Sequence, residues 1–409
     1  MIRCHASWVL PIGAPPLRDG WVAIEDDRVV AYGADSDRDQ AATTPARDVD
    51  LGHAAILPGL VNAHTHLELS HLRGRVPAGQ SFVSWIRAVL AARRDHPNPQ
   101  AVEILGGIDE GIAEAIRCGT AAVGDISNTL ATCAPLAASA LDGVVFYEII
   151  GFNPQDPIAV VDRALEAIHG MTAEDRGRAS LAAHAPYSVA PALLRAIAAA
   201  VDRALLPCSV HVAESPEEVE FLRTGEGPWR ALLQDLGVWN PAWVAPGVSP
   251  VQYLDDLGLL SPRALAVHGV QMSAVDLDRL AARRTTLVTC PRSNAYTGAG
   301  TPPIERFYAS GVRIAVGTDS LASTPDLNVF AELAAIRALA RDVPASRLLD
   351  SATRQGARAL GLDADYGTIA PGKRARLIGV TLPPGVDDVE EYLLSGVQPE
   401  QIAWLTADR

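Results

Sequence analysis

Residues 56–66 read Ile-Leu-Pro-Gly-Leu-Val-Asn-Ala-His-Thr-His, an apolar run that ends in two histidines one residue apart. Side chains two apart on a strand share a face. His64 and His66 can therefore close on one metal ion. A parallel barrel keeps its chemistry at the C-terminal ends of its strands, and the pair lies at such an end. One His-x-His is weak evidence. It gains weight from metal-binding residue types at later strand ends: His211 in Ser-Val-His-Val-Ala-Glu, His268 in Ala-Val-His-Gly, and Asp319 in Ala-Val-Gly-Thr-Asp-Ser.

Outward from this stretch the pattern alternates strand and helix, as a parallel sheet requires. Strands are predicted over Ala55–Asn62, Thr120–Ile126, Gly143–Ile150, Ala179–His184, Cys208–Ala213, Ala264–His268, Thr286–Cys290 and Val312–Gly317. Helical apolar spacing fills Phe82–Arg94, Ala101–Cys118, Pro191–Ala204 and Leu327–Ala340, with Ser81 and Pro191 suited to helix starts. Eight such units predict an α/β fold, a (β/α)8 TIM-type barrel. An open doubly wound sheet is second choice, because no Gly-x-Gly-x-x-Gly follows the first strand. Residues 1–55 and 364–409 carry short β patterns and are expected to form one small β-sandwich domain, leaving 56–363 for the barrel. Ala34–Asp50 reads as loop. Arg73–Ser81 and Phe221–Asp255 read as insertions, the second a lid or substrate wall.

The chain has 409 residues, 48% of them apolar, enough for a large core. Its formal net charge of −14 argues against nucleic acid and anionic membrane as partners. A small molecule is the expected partner, with a homodimer left open. No apolar run is long enough for a bilayer span and the N-terminus lacks a signal-peptide pattern, so the expected location is cytoplasmic. The five cysteines are scattered, as in reduced thiols. Lys373 is the only lysine, so chemistry that needs a lysine in the barrel has none to use.

A catalytic zinc site holds three protein ligands and one open position. His64, His66, His211 and Asp319 offer three imidazoles and a carboxylate from strands one, five and eight, and the first and last strands of a barrel are neighbours. A metal there lowers the pKa of its water and generates hydroxide. Glu214, three residues past His211, is placed to act as general acid/base. His268 either ligates or hydrogen-bonds the water; the second fits better with four ligands already assigned. His184 faces the same mouth and reads as a substrate contact.

Five segments resemble the amidohydrolase superfamily, in its deaminase and chlorohydrolase branch. They are Pro58-Gly-Leu-Val-Asn-Ala-His-Thr-His-Leu, His184-Ala-Pro-Tyr-Ser, His211-Val-Ala-Glu, Cys290-Pro-Arg-Ser-Asn and Gly317-Thr-Asp-Ser. The resemblance implies one divalent metal, zinc first with iron or manganese as alternatives. It also implies Asp319 as base, Glu214 as proton shuttle and His268 as the water-orienting residue. The chain departs from the family pattern at Arg376, where an acidic residue is usual. Within the branch, His64-Thr-His-Leu-Glu-Leu-Ser, Ser84-Trp-Ile and Phe221-Leu-Arg-Thr-Gly-Glu-Gly-Pro look most similar to aminodeoxyfutalosine deaminases. Deaminases of S-adenosylhomocysteine and methylthioadenosine come next. The implied reaction is attack of metal hydroxide on C6 of an adenine nucleoside. Glu68, Trp85, Ser127, Glu148, His184 and Asn294 are the implied substrate contacts. The same site also suits a chlorohydrolase or N-alkylaminohydrolase on a triazine-like ring, or a cyclic amide hydrolase; the pocket must separate them.

Overall fold

The computed structural model describes residues 1–36, 47–171 and 179–405. Its strands are β1 (Ile2–Val9), β2 (Leu17–Glu25), β3 (Arg28–Ala34), β4 (Arg47–Asp50), β5 (Ala54–Pro58), β6 (Leu60–Thr65), β7 (Thr120–Ser127), β8 (Asp142–Ile149), β9 (Ala179–Ala183), β10 (Cys208–Val212), β11 (Ala264–His268), β12 (Thr286–Thr289), β13 (Arg313–Val316), β14 (Leu377–Thr381) and β15 (Ile402–Leu405). Strands β6 to β13 pair in chain order, every pair parallel. Helices such as Val102–Arg117, Pro191–Ala204 and Val329–Leu339 run between them. This is a (β/α)8 barrel.

Side chains join its first and last strands. The amide of Asn62 donates to Thr318 Oγ1 at 2.7 Å and accepts from the Thr318 N–H at 3.0 Å. The Asp319 N–H donates to the His64 carbonyl at 3.0 Å. A Cβ at Gly317 would lie 2.8 Å from both Cβ and carbonyl oxygen of His64, so only glycine lets the strands approach here.

The second sheet has the order β15-β14-β5-β1-β2-β3, with β4 on β1. Both chain ends build it. It corrects two expectations. The strand predicted over Ala55–Asn62 is two strands. Ala54–Pro58 pairs antiparallel with β14 and parallel with β1, and only from Leu60 does the chain enter the barrel. The apolar run conceals the change, because both halves are fully buried. Gly59 is the joint; a Cβ there would sit 2.7 Å from Ala121 Cβ and 2.9 Å from Trp404. The loop expected over Ala34–Asp50 ends in β4, while residues 37–46 lie outside the described residues. The division expected from sequence was 1–55 with 364–409 and 56–363; we propose moving its first boundary, so that the small β domain holds residues 1–58 with 364–409 and the barrel domain 59–363.

The predicted insertion Phe221–Asp255 is largely helical, in Pro216–Thr224, Pro228–Asp235 and Pro250–Asp256. Each begins with proline at its first turn, and Ser215 and Ser249 accept the cap hydrogen bonds of the first and third. Trp229, Leu232 and Leu233 are the buried face of the middle helix. No helix among the described residues is long and apolar enough to cross a membrane.

Asp125 on β7 is fully buried and accepts the Leu67 N–H at 2.8 Å, anchoring the chain just past His66. Burial pushes its pKa up to about 8, against the pull of that backbone hydrogen bond. An unfolded aspartate titrates near 4. Between those two values the folded state keeps a proton that the unfolded state releases, so stability falls as pH rises across that window. Asp125→Asn is expected to flatten the decline. Thermal midpoints of both proteins from pH 5 to 8 test this; two parallel curves refute it.

Candidate active site

Strand geometry brings the ring nitrogens together. On β6, Val61 and Ala63 join an apolar cluster with Ala357 and Leu360. Asn62 and His64 take the opposite face. His64 is fully buried, and neither of its ring nitrogens has a hydrogen-bond partner. Buried polar atoms are rarely left so. The rings of His66 and His211 each lie 5.0 Å from that of His64, and the ring of His268 lies at 5.6 Å. Asp319 Oδ1 is 3.9 Å from His64 Nε2 and 3.5 Å from His66 Nε2. His211 Nε2 lies 3.4 Å from His66 Nε2.

Each group is held by its neighbours. His211 Nδ1 donates to the His184 carbonyl at 2.7 Å, which leaves the lone pair of Nε2 facing the cluster. Ser293 donates to Asp319 Oδ2 at 2.5 Å, and the Ser320 N–H donates to Oδ1 at 2.8 Å. Asn294 bonds His268 Nδ1 at 2.9 Å. Asp319, His268 and Ala213 all have positive φ, at 62°, 78° and 51°. Non-glycine residues there are strained, and strain of this kind gathers at functional sites.

Burial, then the charges of neighbouring histidines, holds His64 and His268 well below the usual imidazole range. Burial likewise takes His66 and His211 down to about 4. Neutral imidazoles are what a metal requires. Two sets, His64–His211–His268 and His64–His66–Asp319, each place their ligand atoms within 4.8 Å of one another. The unpartnered nitrogens of His64 and the donor set fit a divalent cation.

Glu214 lies at the same mouth, 3% exposed, with Oε1 3.5 Å from His268 Nε2. Burial first, then the carboxylates of Asp319 and Glu218, raises its pKa well above the usual range. Burial therefore favours its protonated form. Sequence reasoning missed Glu218, whose carboxylate accepts the N–H groups of Ala213 and Glu214 at 2.9 and 2.8 Å. The signal was present: Ser215-Pro-Glu-Glu218 is a helix-start pattern. Ser293, Asn128 and Arg93 were missed as well, being positioned by contacts distant in sequence.

A cavity of ≈330 Å³ opens onto the cluster. Trp85, Glu148 and His184, three of the residues expected to contact substrate, line it. Phe82, Tyr187 and Trp229 add aromatic walls, with Tyr187 and Trp229 stacked at 3.7 Å. Glu68, Ser127 and Asn294, the other expected contacts, do not line it. Glu68 accepts hydrogen bonds from Ser127 Oγ at 2.6 Å, from the Asn128 N–H at 2.9 Å and from Thr129, so it and Ser127 shape the loop after β7. Asn294 acts on His268 instead. Glu148 carries a second duty: Oε2 accepts from Asn128 at 2.7 Å, while Oε1 lies 3.7 Å from His211 Nδ1.

A parallel barrel that gathers neutral imidazoles and a carboxylate at its C-terminal strand ends, beside a buried carboxyl group, is built as a metal-centre hydrolase. Residues 55–399 match the amidohydrolase family. The chain belongs to that family. It is 32% identical over 374 residues to a 5-methylthioadenosine/S-adenosylhomocysteine deaminase of Nitratidesulfovibrio vulgaris (strain DSM 19637 / Miyazaki F), covering 88% of this chain and 79% of that protein. It is 33% identical over 317 residues to an aminodeoxyfutalosine deaminase of Deinococcus radiodurans, covering 75% and 74%. The crystal structure of an adenosine deaminase from Xanthomonas campestris with bound zinc matches 98% of this chain and 90% of its own. Its TM-score is 0.83 and its identity 28%.

Proposed function

We propose that the protein is a deaminase of 6-aminopurine nucleosides, of the aminodeoxyfutalosine, adenosine or S-adenosylhomocysteine type. It depends on one divalent cation, zinc first, held by His64, His66, His211 and Asp319. The observation that carries this reading is the buried Glu214, its pKa raised by burial, beside that donor set and facing an aromatic-walled cavity. Its relatives' deaminase activities support it.

The cation, when bound, lowers the pKa of a water in its open position and so supplies a nucleophile at neutral pH. The chain's residues do the rest. Phe82, Trp85 and Trp229 offer flat apolar surface to a purine and exclude bulk water. Glu214 gives its proton to N1 of the ring, which makes C6 electrophilic. Asp319, oriented by Ser293 and Ser320, takes the proton of the attacking water and passes it to the departing amine. Oxygen is then bonded to C6, the C6–N6 bond is broken, ammonia leaves, and the remaining hydroxyl proton returns to Glu214, leaving a C6 carbonyl. His268, turned by Asn294, orients the water.

The test is a panel of aminodeoxyfutalosine, adenosine, methylthioadenosine and S-adenosylhomocysteine with zinc-loaded protein. Ultraviolet change at the adenine band with equimolar ammonia is expected for at least one. Silence across the panel sinks the purine assignment.

A further inference from the structure

Helix Pro291–Thr297 carries two of the side chains that hold the site. Ser293 donates to Asp319 Oδ2 at 2.5 Å, and Asn294 bonds His268 Nδ1 at 2.9 Å. A helix of 7 residues is too short to be stable by itself, so its direction must come from packing. Its first turn also lacks an ordinary cap. Cys290, at the N-cap position, supplies no side-chain hydrogen bond, yet the first N–H groups of a helix need acceptors from outside it.

The acceptor comes from another helix. Glu332, on Val329–Leu339, takes the Arg292 N–H on Oε2 at 3.3 Å. Arg292 is the second residue of the short helix, a position whose N–H a cap side chain commonly binds. Its guanidinium works at the same place. Nε lies 3.6 Å from Glu332 Oε1, while Nη1 and Nη2 fork onto Asp326 Oδ1 and Oδ2 at 2.8 and 2.9 Å. Asp326 belongs to the loop that follows Asp319. Arg292 thus ties the short helix to Glu332 through its main chain and to that loop through its side chain.

Glu332 is fully buried on a helix face otherwise made of Val329, Phe330, Leu333 and Ile336. A carboxyl group there costs stability that an apolar residue would not. Neither Glu332 nor Arg292 lines the cavity, so neither is placed to touch substrate.

We propose that Glu332 is a positioning residue: its carboxyl group caps helix Pro291–Thr297 from a second helix, and so aims Ser293 at Asp319 and Asn294 at His268. This rests on the deaminase reading above. Through one hydrogen bond Glu332 sets the direction of the group that moves the water's proton and of the group that orients the water.

The experiment compares Glu332→Met, which removes the acceptor, with Glu332→Gln, which keeps one of the same shape, in zinc-loaded full-length protein on the nucleoside panel. Glu332→Met is expected to lower kcat by about 10- to 100-fold, the scale of a small misplacement at a reacting centre, with KM within about twofold. Glu332→Gln should stay within about threefold of wild type in both constants. The losses of Glu332→Met and Ser293→Ala should not add in the double variant. With cobalt in place of zinc, the visible spectrum reports the geometry around the ion; it should change in Glu332→Met and not in Glu332→Gln. Wild-type kcat in metal-replete Glu332→Met overturns the proposal, and so does full additivity with Ser293→Ala. Should Glu332→Met not fold, Glu332→Gln decides: a tenfold loss of kcat in folded, metal-replete protein overturns the cap, and retained kcat supports it. In each of these cases the wild type turns over and the deaminase reading stands. If the wild type is silent on the whole panel, that reading falls, and the cobalt spectra alone then decide whether Glu332 holds the site.

Discussion

Glu214→Gln is expected to keep its metal and lose turnover by about 10³-fold, within the range for a positioned general acid/base and equal to about 4 kcal/mol of barrier. The substitution is nearly isosteric. It leaves the backbone N–H groups of Ala213 and Glu214 on the Glu218 carboxylate, so the loop should hold its shape. What it removes is an acidic proton, whose retention is favoured because the carboxyl is buried and lies near Asp319 and Glu218. A glutamine amide cannot protonate a ring nitrogen. KM should change little, since the apolar walls that hold the purine are untouched. Steady-state kinetics beside elemental analysis read both halves. Full metal with undiminished kcat would take Glu214 out of the mechanism.

Stripping the cation by dialysis against a chelator is expected to abolish turnover and lower the thermal midpoint by several degrees. Both should return on adding about one equivalent of zinc. Activity depends on the cation because no other group on the chain lowers the pKa of water so far. Stability depends on it because a ligand bound only by the folded state contributes about 4 kcal/mol at a thousand times its dissociation constant. Without it the neutral, desolvated imidazoles of His64, His66 and His211 face one another with no shared partner. His66→Ala should mimic the stripped protein even in excess zinc. Full activity after verified metal removal would defeat the cation's role. A cofactor titration with zinc, manganese and ferrous iron would rank the metals.

Much of this architecture was legible in the chain. His64 and His66 two apart, His211, His268 and Asp319 at later strand ends, and Glu214 just beyond β10 could all be placed from period and position. The reason is local: a strand's alternation decides which side chains share a face, and a parallel barrel puts all its strand ends at one mouth. The same local rules misread Ala55–Asn62, because fully buried strands of two different sheets share one hydropathy pattern.

The hydrogen-bond partners of Glu68, Ser127 and Asn294 were not legible for a different reason. A polar residue near a site reads alike whether it touches substrate, props a loop or turns a histidine, and its hydrogen-bond partners decide. Ser127 comes 59 positions after Glu68, and Asn294 comes 26 after His268. Residue types and spacings along the chain determined the barrel, its cluster of histidines with a carboxylate, and the acid beside it. Only the tertiary structure decided that Asn62 and Thr318 join the first and last strands and that Arg93 faces the cavity from the far end of its helix. Those choices depend on desolvation and on contacts across hundreds of residues, which no local pattern encodes.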